Sequence, residues 1–320
     1  MSPFEILRCP ESRSALKSEG DRLVSADGRS YPVIDGIARF LDASSSVGVV
    51  SEFYENEGWR CDASGLYGDT RAFVDTRDVP LAFTRKCIRR LNKHFHGGSF
   101  LLDAGSGPIA HDEYLEFGAN FEYRICVDLS TQALQAARGK LGARGVYLQA
   151  SLTSLPIESE MIDAVTCNHV IYQIPPAEQA DAFTELWRVL KPGGVAVVIY
   201  WWQDTPLQWR LERLARLFAK RADEGNKPAA SSAALNHFPR SVQWFEKQDW
   251  PFSYTIESFR VIGNAFMRSY VSNDWKGRLF LKGVYALQQM APDYCGRYGQ
   301  MAAIILRKKS PGGSFGVADD

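Results

Sequence analysis

Residues Phe100 to Pro108 read FLLDAGSGP: three apolar residues run into an acid, and a glycine-rich turn follows. A short apolar run without alternation fits a strand buried on both faces, as in a parallel sheet. Gly105 and Gly107 allow a sharp turn and bring backbone N–H groups close to a ligand. Proline is tolerated in a first helical turn, so a helix is expected from about Ile109 to Phe117. A glycine loop between a strand and a helix start is a nucleotide-type site. It is not a P-loop, which needs Gly-Lys-Ser/Thr where this chain has Gly107-Pro108-Ile109. The dinucleotide fingerprint tolerates Ala110 at its third glycine. Asp103 counts against it, because a carboxylate at the strand end repels a pyrophosphate but can hold a cationic amino group.

The downstream spacing is more specific. Tyr123 to Asp128, YRICVD, is a second buried-type strand ending in an acid. An acid about twenty residues past the glycines suits the two hydroxyls of a ribose. Val146 to Leu148 and Ile162 to Cys167 are further apolar segments, and LWRVLKPGG, Leu186 to Gly194, runs into a strand from Val195 to Tyr200. From about Leu91 to Tyr200 this order resembles the class I S-adenosylmethionine-dependent methyltransferases. It is most similar to the small-molecule branch that includes the ubiquinone and menaquinone C-methyltransferases.

The resemblance implies an α/β fold: a doubly wound, Rossmann-like sheet of seven strands, with S-adenosylmethionine across the strands' C-terminal ends and S-adenosylhomocysteine as product. It implies cofactor contacts from Asp103, Ala104, Gly105, Ser106 and Gly107 at the loop, and from Asp128 and Leu129 at the ribose. Ser151 and Leu152 fall at the adenine, with Ser151 where the family usually has an acid; a hydroxyl accepts the same hydrogen bond without charge assistance. Asn168 falls beside the amino-acid moiety. His169 is the general-base candidate, because an ordinary imidazole titrates near neutrality; a packed, inert histidine is the equal alternative. Tyr172 is the second catalytic candidate and His111 a further neighbour of the methionine end. Lys191 to Gly194 reads as a turn into the fifth strand.

Residues 1–42 are expected to form a small β-rich module. Ala26-Asp27-Gly28-Arg29 carries the Asp-Gly signature of a hairpin between Leu23–Ser25 and Tyr31–Ile34. LRCPESRSAL followed by YPVIDGIARFL resembles the zinc-ribbon-like activator module of certain tRNA and release-factor methyltransferases. In zinc-bearing versions a second cysteine follows two residues after Cys-Pro; here that position is Ser12, so no metal is expected. Residues 43–90 read as a linker and helical cover, with Phe53, Tyr54 and Tyr67 as candidates to lie over the site and a basic helix from Thr84 to Phe95. Residues 91–308 make the methyltransferase-like domain and 309–320 a frayed tail.

After Tyr200 the chain becomes aromatic-rich. Trp201, Trp202, Trp209, Trp244, Phe245 and Trp250 mark an acceptor-side insertion over 201–257. It includes an amphipathic helix from Leu207 to Arg221 and precedes last strands at Ser258–Ile262 and Met301–Leu306. The chain carries 37 basic and 37 acidic residues, so no global field favours nucleic acid or an anionic membrane. No apolar run reaches a membrane span, and the N-terminus lacks a signal peptide's pattern. The six scattered cysteines read as reduced thiols, and the expected location is cytoplasmic. The expected activity is methyl transfer to O, N or C of a small molecule, with secondary metabolism as its setting. A tRNA or protein methyltransferase, and a cofactor-binding regulatory protein without methyl transfer, remain open alternatives.

Overall fold

In a computed structural model the described residues are 3–41, 59, 67–218 and 237–310. Among these residues eleven strands form one sheet. In chain order they are β1 (Leu16–Glu19), β2 (Arg22–Ser25), β3 (Ser30–Ile34), β4 (Ile37–Arg39), β5 (Gly98–Ala104), β6 (Phe121–Asp128), β7 (Gly145–Gln149), β8 (Ile162–Asn168), β9 (Leu190–Trp201), β10 (Ser253–Arg260) and β11 (Met301–Arg307). Their spatial order is β1-β2-β3-β4-β7-β6-β5-β8-β9-β11-β10. The strands from β4 through β9 in this order run parallel, and β11 turns antiparallel against β9.

The order reverses at β5: β6 lies on one side and β8 on the other. Such a switch point opens a crevice beyond the strands' carboxyl ends. Alternate residues of β5 feed two separate apolar clusters, Phe100, Leu102 and Ala104 into one and Leu101 into the other. The same holds in β9, where Ala196, Val198 and Tyr200 oppose Val195, Val197 and Ile199. A strand buried on both faces gains nothing from alternation, which is why these segments read as continuous apolar runs.

Seven strands were expected and eleven are present. The four additional strands come from the N-terminal residues, which continue the central sheet. Ile37, Ala38 and Arg39 of β4 pair in parallel with Tyr147, Leu148 and Gln149 of β7. The β2–β3 hairpin turns at Gly28, whose φ of +83° suits glycine. Ile6, Leu7 and Cys9 pack in the same cluster as Leu155 and Ile157 of the central domain. Arg13 reaches the Leu155 carbonyl at 2.8 Å and the Glu185 carboxylate at 3.3 Å. The Cys9 thiol lies 3.1 Å from the Tyr31 hydroxyl and 3.3 Å from the Glu11 carboxylate.

The helices are α1 (Gly68–Phe73), α2 (Asp78–Arg89), α3 (Glu113–Glu116), α4 (Thr131–Leu141), α5 (Gln179–Val189), α6 (Pro206–Phe218), α7 (Val242–Glu246), α8 (Asn264–Tyr270), α9 (Trp275–Met290) and α10 (Pro292–Tyr298). The Ser130 hydroxyl caps α4 by accepting the Ala133 N–H at 3.1 Å. α2 starts six residues before the expected Thr84, and a 3₁₀ turn follows from Arg90 to His94. The helix expected from Ile109 begins only at Glu113 and spans four residues. Ile109 sits at φ +54°, outside the right-handed helical region, so the chain turns before a helix starts. β10 begins at Ser253, five residues before the expected Ser258. Among the described residues no helix is long and apolar enough to cross a membrane.

Candidate active site

The glycine loop is stapled to β6. The Gly105 and Ser106 N–H groups both donate to the Val127 carbonyl, at 2.8 and 3.1 Å. Gly105 has φ +72°, and a Cβ there would stand 2.3 Å from Val170. Both the backbone angle and the close approach of the loop after β8 therefore require glycine. Gly107, at φ +51°, donates its N–H to Asp128 Oδ2 at 2.8 Å. Asp128 Oδ1 accepts the Ser130 N–H at 3.0 Å. Burial pushes the Asp128 carboxyl up to about 6, against the opposing effect of these two hydrogen bonds.

Asp103 is the penultimate residue of β5, and it is not a free carboxylate. Its Oδ2 accepts from Arg124 Nε at 3.0 Å and from Nη2 at 2.5 Å. Both side chains are 3% exposed. Oδ1 has no hydrogen bond among the described residues, so half of the carboxylate remains for a ligand.

Beyond the loop lies a cavity of about 690 Å³. Asp103, Gly105, Ser106, Gly107, Asp128 and Leu129 line it, as do Ser151, Leu152, Asn168, His169 and Tyr172. Ala104 does not: its methyl group faces the apolar cluster under the sheet. The Ser151 hydroxyl is 2.8 Å from the Thr153 hydroxyl and accepts the Thr153 N–H at 3.2 Å, which closes a small local turn. Asn168 donates from Nδ2 to Thr166 Oγ1 at 3.0 Å, while its buried Oδ1 has no partner. His111 also lines the cavity, and burial lowers its proton affinity. Tyr67 stacks edge-on with Trp59, whose indole meets the Gly107 side of the cavity. Phe53 and Tyr54 lie outside the described residues.

His169 also lines the cavity. It sits at φ +64° with its Nδ1 buried and without a hydrogen-bond partner. Its ring stands edge-on to Phe259, with centroids 5.5 Å apart, and faces Tyr172 at 6.5 Å. Burial, reinforced by Arg260 and His111, drives its pKa down to about 3. The imidazole is therefore neutral at ordinary pH. Burial also holds the Tyr172 phenol well above its ordinary range.

Among the polar groups on the cavity wall that sequence reasoning missed are Asp69 of α1, Arg260 at the end of β10 and Asn264 at the start of α8. Burial alone raises Asp69 to about 7. Asp69 precedes the first central strand, where no motif marks it. The one available signal for Arg260 was a cation inside the apolar run Phe259-Arg260-Val261-Ile262.

Residues 102–198 match the family described as a methyltransferase domain. A Mycobacterium ulcerans protein, an uncharacterized methyltransferase, is 29% identical over 171 residues, which is 52% of this chain and 61% of the relative. The ubiquinone/menaquinone biosynthesis C-methyltransferase of Syntrophotalea carbinolica is 33% identical over 156 residues, 47% of this chain and 63% of that one. The chain thus spans less than two thirds of the length of these relatives. Among solved structures, geranyl diphosphate C-methyltransferase from Streptomyces coelicolor aligns with a TM-score of 0.46 at 15% identity, over 83% of this chain and 98% of that one. The matched segment has the Rossmann-like strand order, and the cofactor expected of such a domain is S-adenosylmethionine. The site fits that molecule: a glycine loop without room for a Cβ, a strand-end carboxylate and an orphaned amide oxygen face one crevice.

Proposed function

We propose that the chain is an S-adenosylmethionine-dependent methyltransferase acting on O, N or C of a small molecule. One observation carries this reading. A single cavity runs from Gly105, Gly107 and Asp128 to a wall made by Trp201, Met301 and Arg260, so donor and acceptor sites are continuous. Its volume falls within the roughly 300–1,000 Å³ of small-molecule sites.

In this reading Asp128 accepts from the ribose hydroxyls, with Leu129 beside it. The Leu152 backbone and the Ser151–Thr153 turn border the adenine. Asn168 Oδ1 and Asp103 Oδ1 take the ammonium of the amino-acid end, and Ala104 contributes only backbone. Bound there, the cofactor supplies an electrophilic methyl group. The remaining work is alignment, which by itself lowers the barrier of a displacement. Where the acceptor must lose a proton, Asp69 is better matched to the task than His169, because a base poised near the working pH is the more effective one. His169 and Tyr172 shape the acceptor pocket.

The test is calorimetry with S-adenosylmethionine and S-adenosylhomocysteine, followed by assay of S-adenosylhomocysteine release with pools of small acceptors. The expected result is saturable binding of both and release that depends on one acceptor class. Binding without turnover on any pool would move the chain to the non-methylating reading. Absence of binding would overturn the assignment.

A further inference from the structure

Arg260 is a buried guanidinium without a carboxylate partner. It is 3% exposed, and no acid lies within ion-pair distance of it among the described residues. Its contacts are specific. Nη1 donates to Thr84 Oγ1 at 3.1 Å and to Asn264 Oδ1 at 3.2 Å. Nη2 reaches only the Met301 sulfur, at 3.3 Å, which is a weak acceptor. Nε has no partner among the described residues. Thr84 and Asn264 thus fix the plane of the guanidinium through one nitrogen. The other two nitrogens form the edge with which arginine grips an oxyanion bidentately. Burying a charge without a counter-charge costs several kcal/mol, a cost that a ligand's own charge offsets.

The backbone is bent to present this side chain. Ser258 pairs with Ala302 and Arg260 with Met301, so β10 spends an extra residue, Phe259, against β11. A bulge of this kind re-aims side chains. Here both Phe259 and Arg260 reach the cavity wall, where a regular strand would send them to opposite faces. Met301 in turn pairs with Trp201 of β9, so Trp201, Met301 and Arg260 form one row across three strands, and all three line the cavity. Asp128, the ribose candidate, lies on β6, five strands along the sheet from β10. At one strand spacing per step this is roughly 24 Å. Arg260 therefore lies at the end of the cavity remote from Asp128, within electrostatic reach of His169 and His111.

We propose that Arg260 anchors an oxyanion, a carboxylate or a phosphate carried by the methyl acceptor, at the end of the cavity remote from Asp128. This identifies the acceptor as an anionic small molecule and rests on the methyltransferase reading above. The acceptor would be gripped by its charged group against Nε and Nη2, with its apolar part against Trp201 and Phe259.

The experiment titrates malonate and, separately, inorganic phosphate into protein saturated with S-adenosylhomocysteine, for the wild type, Arg260→Met and Arg260→Lys. The wild type is expected to bind one of the two anions. Arg260→Met should weaken that binding by about tenfold or more, the loss of a charge-assisted hydrogen bond. Arg260→Lys keeps the charge without the fork and should fall between. Which anion binds separates a carboxylate from a phosphate acceptor. Thermal stability of Arg260→Met should equal or exceed the wild type's, because an uncompensated charge has been removed; a lower midpoint would mark a structural arginine and overturn the proposal. Unchanged anion binding in Arg260→Met would overturn it as well. So would a large loss of S-adenosylhomocysteine affinity in that variant, since the arginine would then hold the cofactor's own carboxylate. If the wild type fails to bind S-adenosylhomocysteine, the methyltransferase reading fails, and the same titrations on the protein alone still decide whether Arg260 holds an anion.

Discussion

Asp103 and Arg124 face each other from neighbouring strands, with Nη2 of the arginine 2.5 Å from Oδ2 of the aspartate and both side chains sealed from water. Arg124 also donates from Nη1 to the Tyr114 carbonyl at 2.7 Å, which ties the loop after Gly107 back to the sheet. The acid at the end of β5 therefore has a structural duty besides any duty to a ligand. Arg124→Met is expected to lower stability by about 3–5 kcal/mol, because it strands a buried carboxylate. Asp103→Ala strands the arginine and should also destabilise. Replacing both by apolar residues should recover most of the loss. Urea midpoints of the two single variants and the double variant check this; independent, additive losses would show that the pair does not act as a unit.

Gly105 gives the second prediction. Gly105→Ala places a methyl group against Val170 at a φ that non-glycine residues adopt at a cost of about 1–2 kcal/mol. Cofactor affinity should fall, because either the loop or the segment after β8 must move. Adding Val170→Ala removes the two nearer contacts but leaves the Val170 Cβ at 3.0 Å and the backbone strain, so affinity should return only in part. Isothermal titration with S-adenosylhomocysteine measures both; full recovery would mean that the backbone angle carries no penalty.

The third concerns pH and Asp128. Its folded pKa is raised to about 6. Between the ordinary aspartate value and about 6 the folded chain holds a proton that the unfolded chain has released, so this group lowers stability as pH rises through that window. Ligand binding has the opposite sense. The ribose needs the carboxylate, so S-adenosylhomocysteine affinity should weaken as pH falls through about 6. Asp128→Asn should bind weakly at every pH and lose that dependence. An affinity flat from pH 5 to 8 in the wild type would count against Asp128 as the ribose group.

His169 gives a prediction of opposite sign. With a folded pKa near 3 and an ordinary unfolded value, the unfolded chain binds the extra proton between those limits. Stability should therefore decline as pH falls from about 6.5 towards 3, and less steeply in His169→Asn, a residue that tolerates the left-handed backbone here. Urea midpoints against pH give the comparison. A turnover limb near neutrality that vanished in the variant would show instead that the imidazole titrates in its ordinary range.

Much of the crevice was legible because it is local. The strand, acid and glycine run of 100–108, the acid ending YRICVD and the Ser130 cap are short-range patterns, and they place Gly105, Gly107 and Asp128 on one wall. The helix after the loop was misjudged because proline tolerance says nothing about Ile109, whose left-handed backbone ends the turn first. The eleven-strand sheet was hidden for a different reason. The pairing of Ile37 with Tyr147 spans more than a hundred residues and leaves no periodicity behind. Arg260 was hidden in the same way. Nothing in the string SFRVI shows a bulge, and only the register against Ala302 and Met301 reveals that the cation has been turned into the cavity.

The parallel pairing of β4 on β7 has a consequence for the solution behaviour of the chain. Without it, β7 would end the sheet with a bare row of backbone donors and acceptors, a template on which a second molecule could add a strand. The N-terminal hairpin moves that boundary outward to β1, whose residues Leu16-Lys17-Ser18-Glu19 are short, mostly exposed and of mixed charge. Such a border is poorly suited to templating. Residues 3–41 thus occupy the edge that β7 would otherwise present. A version beginning after them should sediment as concentration-dependent aggregates, even though every residue of the crevice is retained.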